Sequence, residues 1–247
     1  ALGMEPLVGG ELRRAGLSDS LAPPLVQALQ QMLRTPFGGA LGALRPADLR
    51  PERRLNELNF DLSLRRARAA DLARAFREHP GGPFGEAYAS ALARLPVNQR
   101  GFLTGSIDLV FPAPSEGEDQ WWVLDWKSNW LGRKDLEGRV LSCGPGDYGP
   151  EALNALMASH HYPLQAHLYL VALHRYLGWR LPGYAPERHL GGYVYVFARG
   201  TPGEAGQDAL PGPVPGMLVE RPPLGRLLAL DQALGSSPPG WEPGTHP

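Results

Sequence analysis

Two aspartates and one lysine stand in neighbouring segments where they could carry out metal-assisted phosphate chemistry. Asp108 lies in the segment 105–111. Asp125 and Lys127 lie in the segment 121–129. Carboxylate oxygens are ligands that divalent cations prefer, and an ammonium beside them can orient a water or a phosphate oxygen. These residue types at this spacing predict a site that holds a divalent metal against a phosphate.

A β-hairpin would bring the three charged side chains together. Both segments are rich in β-branched and aromatic residues, and the stretch 112–120 between them is turn-like, so we expect two paired strands. Because side chains alternate along a strand, Asp125 and Lys127 share one face. On the other strand the apolar residues take one face and leave Asp108 on the opposite one. The hairpin therefore predicts two carboxylates and one ammonium side by side on a sheet.

Lysine is scarce in this chain, which makes the lysine near Asp125 informative. The sequence has 24 lysines and arginines together, of which 22 are arginines and 2 are lysines, Lys127 and Lys134. Since arginine is used almost everywhere, Lys127 predicts chemistry in which a compact ammonium that can shift its pKa differs from a guanidinium. A buried structural ion pair with the two aspartates is the alternative that the residues leave open.

Composition limits the classes of protein to which the chain can belong. With 247 residues, 43% of them hydrophobic, it can bury one sizeable core in a single domain or in two small ones. The net charge of −1 gives no general support for nucleic-acid binding, so any basic patch must be local. The single cysteine, Cys143, excludes a disulfide framework and a four-cysteine metal site. No apolar run approaches the roughly 20 residues of a membrane span, so we expect a cytoplasmic protein with no membrane partner.

The order of predicted elements indicates an α/β (α+β) fold. Apolar periodicity predicts a strand at 55–64 and a buried strand at 191–199, besides the hairpin. Helices are predicted at 18–34, 66–78, 83–94, 151–160, 163–177 and 222–234. This alternation is typical of a central mixed sheet flanked by helices. Glycine and proline predict loops at 131–150 and 200–216 and a disordered tail at 236–247.

Several ordered motifs resemble the C-terminal nuclease domain of the exonuclease V beta subunit, RecB, in the PD-(D/E)XK nuclease superfamily. The motifs are 101–109, 125–129, 162–165 with Tyr169, and 191–200. The resemblance extends from about residue 20 to about residue 235, with the motifs in the same order as in the family. It includes Glu57, in a strand like the family's strand of a glutamate followed by aromatic residues. It implies a restriction-endonuclease-like core, with residues 1–235 as one nuclease domain. Several motifs in order are far more specific than a lone Asp-x-Lys.

The resemblance also implies a ligand set and a mechanism. Asp108 and Asp125 would hold Mg²⁺, with the backbone carbonyl of Trp126 as a third ligand. Lys127 would orient the attacking water or stabilise the transition state. Glu57 would accept a water ligand or hold a second metal, although a solvated residue on a strand face is the simpler interpretation of this side chain.

Two residues four apart on a predicted helix complete the set of candidates. Gln165 and Tyr169 match the family's helix motif and would position a phosphate or the Lys127 region. Packing on the helix surface is the alternative. The family also has a metal-binding histidine on a helix ahead of these motifs, whereas no histidine here precedes His79. We therefore expect the chain to begin after that helix and its metal ligation to be incomplete.

The function implied by the resemblance is that of a Mg²⁺-dependent DNA nuclease domain in RecBCD-type end processing and recombinational repair. The expected partners are DNA, as linear ends or single strands, RecC-like and RecD-like subunits, and a fused or separate helicase. The alternative is a catalytically silent nuclease-fold module that binds DNA or partner subunits. The complete Asp, Asp and Lys set favours the enzyme, and the missing upstream histidine favours the silent module.

Overall fold

The computed structural model describes residues 3–115, 117–210 and 212–235, with the backbone alone at position 65. The prediction of a disordered tail at 236–247 lies outside these residues. Within them, no helix is long and apolar enough to cross a membrane.

The described strands form one sheet whose order in space follows the order in the chain, β1-β2-β3-β4-β5. Their bounds are β1 Leu55–Arg68, β2 Asn98–Ser115, β3 Glu118–Lys127, β4 Leu190–Phe197 and β5 Met217–Glu220. β1 pairs with β2 and β2 pairs with β3, both antiparallel. β4 is buried throughout, as its uninterrupted apolar sequence predicts. The α/β (α+β) class with a mixed sheet flanked by helices is confirmed and is consistent with a restriction-endonuclease-like core.

The predicted hairpin is present, but its strands are longer than the sequence indicated. β2 and β3 stay paired up to Ser115 and Glu118, so the prediction of a turn over the whole of 112–120 is wrong. Pro112 and Pro114 suggested a turn, yet both lie in the ladder. A proline removes one donor from a ladder but leaves its carbonyl, so a strand can tolerate it where that N–H is not needed.

The described residues also form α-helices around the strands in the chain order. They are α1 Met4–Arg14, α2 Ala22–Arg34, α3 Ala69–Glu78, α4 Glu86–Ala93, α5 Pro150–Ser159, α6 Tyr162–Arg180, α7 Pro186–His189 and α8 Leu224–Leu234. All six predicted helices are confirmed, with shifted ends. The helix predicted from residue 66 begins at Ala69 because β1 continues to Arg68. The helix α1 and the four-residue helix α7 were not predicted.

The described residues fall into two compact units, each with its own buried residues. Among the described residues, the first unit comprises 3–49, 126–152 and 195–218, and the second comprises 50–125, 153–194 and 219–235. Phe37 and Tyr148 are buried in the first unit. Phe76, Ile107 and Leu170 are buried in the second. The assignment of residues 1–235 to one nuclease domain stays a prediction.

Candidate active site

The second unit places the two candidate aspartates at the end of a ladder. The β2–β3 register runs to the pair Leu109 and Leu124, and Asp108 and Asp125 occupy the next position on each strand. Directly opposed residues of antiparallel strands have Cα atoms about 4.5–5.5 Å apart. The Asp125 side chain is almost fully buried, with 4% of the residue exposed, and Asp108 is half-buried. A carboxylate buried as deeply as that of Asp125 is costly unless a cation or hydrogen-bond donors offset its charge.

Tyr169 of α6 faces both aspartates. Burial, with the charges of Asp125 and Asp108 that disfavour a phenolate, raises the pKa of Tyr169 to about 12. Gln165 Nε2 donates a hydrogen bond to the Tyr169 hydroxyl over 2.9 Å, so the two residues share a helix face as their spacing predicts. Because the phenol stays protonated at neutral pH, its hydroxyl proton remains available to the acid pair.

An aromatic contact from β1 holds the Tyr169 ring. The rings of Phe60 and Tyr169 meet edge to face, with centroids 5.9 Å apart and planes at 73°. This geometry suits the aromatic quadrupole. The ring of Phe60 also lies over Gly105 of β2, where an added Cβ would come within 2.6 Å of it. The glycine of the 101–109 motif therefore makes room for the ring that supports Tyr169.

Glu57 is more exposed than the two aspartates and forms a hydrogen bond within the sheet. The register of β1 with β2 on either side of Glu57 places it opposite Asp108. Its backbone has a φ of 51°, which is uncommon for a residue with a side chain, and the residue is exposed. Its Oε2 accepts a hydrogen bond from the Ser106 hydroxyl over 3.2 Å. Among the described residues, no three His, Cys, Asp or Glu side chains are gathered as a metal site, so a role for Glu57 stays a prediction.

Lys127 and Trp126 are the last residues of β3, and both belong to the first unit. Lys127 is half-buried, and its Nζ lies 5.3 Å from the ring centroid of Tyr195, within the range of a cation–π interaction. Lys127 follows Asp125 by two residues along the strand, as the prediction of a shared face requires. The assignment of the Trp126 carbonyl as a metal ligand stays a prediction.

The chain segment after β3 is fixed by two residues of the first unit that sequence reasoning did not assign to the site. The buried Tyr148 hydroxyl donates to the Asn129 carbonyl over 2.8 Å and accepts from the Leu131 N–H over 3.2 Å. Arg199 Nε donates to the Ser128 carbonyl over 3.0 Å. The only sequence signal for Tyr148 was a lone aromatic in a glycine-rich stretch. Both residues position the backbone immediately after Lys127.

We expect Tyr148→Phe to destabilise the protein by about 1 to 3 kcal/mol, because the substitution leaves a carbonyl and an N–H without their partner while keeping the ring. The free energy of unfolding in urea, followed by circular dichroism, measures the effect. Tyr176→Phe, on α6, is the matched control and should change stability little. Equal stabilities for the two variants would contradict the role assigned to the Tyr148 hydroxyl.

The acid pair fits a hard divalent cation. Mg²⁺ is commonly bound through one or two carboxylates and retains several waters, so two aspartates suffice without a larger protein cage. Asp108 and Asp125 both contribute to the raised pKa of Tyr169, so both carboxylates lie near its hydroxyl. Their role as metal ligands stays a prediction.

Comparison with known proteins identifies relatives but no matching family model. The RecBCD enzyme subunit RecB of Mycobacterium tuberculosis H37Rv is 38% identical over 234 residues, covering 87% of this chain and 20% of the relative. The RecB subunit of Mycolicibacterium smegmatis is 37% identical over 227 residues, with the same coverage of 87% and 20%. That of Escherichia coli K12 is 38% identical over 133 residues, covering 54% of this chain and 10% of the relative. The chain thus spans about a fifth of the length of each of the two mycobacterial relatives.

Proposed function

The chain is a homologue of part of RecB, and from that premise we propose that it is the Mg²⁺-dependent DNA nuclease domain of a RecB-type enzyme, with a nuclease core of the PD-(D/E)XK type. One observation carries the proposal: the Tyr169 hydroxyl lies beside two acids, Asp108 and Asp125, at the end of a strand ladder. An acid pair with one buried and one half-buried carboxylate is a poor structural element and a good cation site. The reaction is hydrolysis of a phosphodiester bond.

Each residue of the acid pair has a defined task. Asp108 and Asp125 would hold Mg²⁺ through carboxylate oxygens, with the Trp126 carbonyl as a third ligand. When bound, Mg²⁺ polarises the scissile phosphate and lowers the pKa of a water. The Tyr169 hydroxyl donates toward Asp125 and fixes the orientation of its carboxylate. Gln165 holds that hydroxyl in place.

Lys127 supplies the positive charge that the transition state requires. Its ammonium would orient the attacking water or stabilise a phosphate oxygen in the transition state. The aromatic face of Tyr195 contacts the lysine side chain in a cation–π interaction. Glu57 would accept a hydrogen bond from a water of the metal rather than bind the metal directly.

The assembly in which the domain works is part of the same proposal. The substrate is DNA, as a linear end or single strand, and the partners are RecC-like and RecD-like subunits with a fused or separate helicase. The expected location is the cytoplasm. A catalytically silent module that binds DNA or subunits is the second candidate, favoured by the lack of a metal site of three or more His, Cys, Asp or Glu side chains in the described part of the chain.

Cleavage of end-labelled linear DNA separates the two candidates. The protein is incubated with single-stranded and duplex DNA in Mg²⁺, and in parallel with EDTA. The nuclease predicts shortened products in Mg²⁺ and intact DNA in EDTA. DNA that is bound in a gel-shift assay yet stays intact in Mg²⁺ would refute the nuclease and support the silent module.

A further inference from the structure

A groove of about 550 Å³ opens beside β1 within the second unit. The sheet contributes Phe60 and Leu62 of β1 and Phe102 of β2 to its wall. The helix α6 contributes Tyr176 and Trp179. None of the functions assigned above uses this groove.

The groove is continuous with the acid pair. Phe60 lines the groove and also contacts Tyr169, the residue that faces Asp108 and Asp125. Along α6, the residues 165, 169, 172, 176 and 179 are spaced four, three, four and three apart, so they form one stripe of the helix. The stripe begins at the site and continues along the groove. A ligand lying in the groove would therefore extend from the acid pair.

The groove presents aromatic rings to solvent. Phe102 is 76% exposed and Trp179 is 48% exposed. The rings of Tyr176 and Trp179 meet edge to face with centroids 6.3 Å apart. The Arg180 guanidinium lies 4.9 Å from the Trp179 ring centroid. Exposed aromatics stabilised by an arginine offer flat faces on which bases can stack.

Arginines lie at the end of the groove that is remote from the acid pair. The β1–β2 ladder passes through Ser63 and Phe102, and the exposed Arg66 and Arg100 lie just beyond this pair on the two strands. Arg175 also lines the groove, but its Nε forms a salt bridge with Asp231 Oδ1 over 2.7 Å. Arg66, Arg100 and Arg180 are therefore the cations placed to meet a phosphate backbone.

We propose that this groove binds single-stranded DNA and leads the strand to the acid pair, with bases stacked on Phe102 and Trp179. The proposal rests on the proposed function for the direction of the strand. Unpaired bases are required, since paired bases do not expose their faces to side chains. An extended protein strand could also pair with β1 at the sheet edge. The exposed rings, the neighbouring arginines and the continuity with the acid pair favour the nucleic acid.

Binding in EDTA tests the groove without cleavage. We expect Phe102→Ala and Trp179→Ala each to weaken binding of a labelled single-stranded oligonucleotide about 5- to 150-fold, the range of one base–aromatic stack. Fluorescence anisotropy gives the Kd, and thermal unfolding verifies that both variants are folded. Leu136→Ala, a fully exposed residue between β3 and α5, is the control and should bind like wild type.

An oligonucleotide with abasic positions isolates the stacking. It should bind wild type and both variants with equal, weakened affinity, because no bases remain to stack. Unchanged affinity of both variants for the normal oligonucleotide would overturn the proposal and leave the groove to a protein strand. The proposal would also be overturned if the two substitutions weakened binding of the abasic oligonucleotide as much as they weaken binding of the normal one.

Cleavage in Mg²⁺ keeps this proposal distinct from the proposed function. Weakened binding by the variants, with no cleavage by any of the proteins, would support the groove and refute the nuclease. Cleavage by wild type, with variants that bind and cleave as wild type does, would refute the groove alone.

Discussion

Asp125→Asn is expected to abolish Mg²⁺-dependent DNA cleavage, with a loss of about 10³-fold or more, since losing a metal ligand removes several kcal/mol of transition-state stabilisation. Asparagine has nearly the same shape as aspartate and retains one carbonyl oxygen for the Tyr169 hydroxyl. Removing one charge also relieves repulsion with Asp108 in the absence of metal. The variant should therefore fold normally.

Mg²⁺ binding supplies a readout that does not depend on activity. Isothermal titration should show weakened Mg²⁺ binding for Asp125→Asn and for Asp108→Asn, with thermal unfolding close to that of wild type. Asp208→Asn, which changes an exposed acid of the first unit, should leave metal binding and cleavage unchanged. Unaltered Mg²⁺ binding in both site variants would remove these aspartates from the ligand set.

Lys127→Arg is expected to slow cleavage by roughly a hundredfold to a thousandfold. Loss of one preorganised transition-state contact typically costs about 2.7 to 4 kcal/mol. Arginine keeps the positive charge, but its longer planar guanidinium would displace the water and the phosphate that a compact ammonium orients. If Lys127 only balances the aspartates, the substitution should be nearly harmless.

The other lysine of the chain provides the matched control. Lys134 is exposed, and Lys134→Arg makes the same chemical change away from the end of β3. Single-turnover cleavage at saturating Mg²⁺, with thermal unfolding of each protein, compares the variants. Cleavage by Lys127→Arg at the wild-type rate would return this lysine to a structural role.

The sheet could largely be predicted from the sequence because its strands carry clear patterns. Alternating residues around Leu58 and Leu62 predicted β1, and an uninterrupted apolar run predicted β4. Two elements lacked such a signal. α1 contains Gly9 and Gly10 in its interior, which disfavour a helix, and it depends on packing that includes the buried Leu12. β5 has four residues, too few for a period to be recognised.

The candidate site could be predicted only where chemistry and spacing coincide. Asp108 and Asp125 were predicted from acids on adjacent strands, and Tyr169 from its motif. The role of the Tyr148 hydroxyl could not be predicted, because its hydrogen-bond partners are backbone groups, which carry no signal in the sequence. The left-handed backbone at Glu57 was equally hidden, since it breaks the alternation that the sequence predicts for a strand.

The most direct test of a metal acting on a phosphate through Asp108 and Asp125 is cleavage of DNA carrying one phosphorothioate. Sulfur is a soft ligand that Mg²⁺ accepts poorly and softer metals accept well. We predict slow cleavage at the substituted phosphate in Mg²⁺, recovery when Cd²⁺ is added, and no recovery in Asp125→Asn. Cleavage of the substituted phosphate in Mg²⁺ at the same rate as the normal one, by wild type and Asp125→Asn alike, would contradict the account.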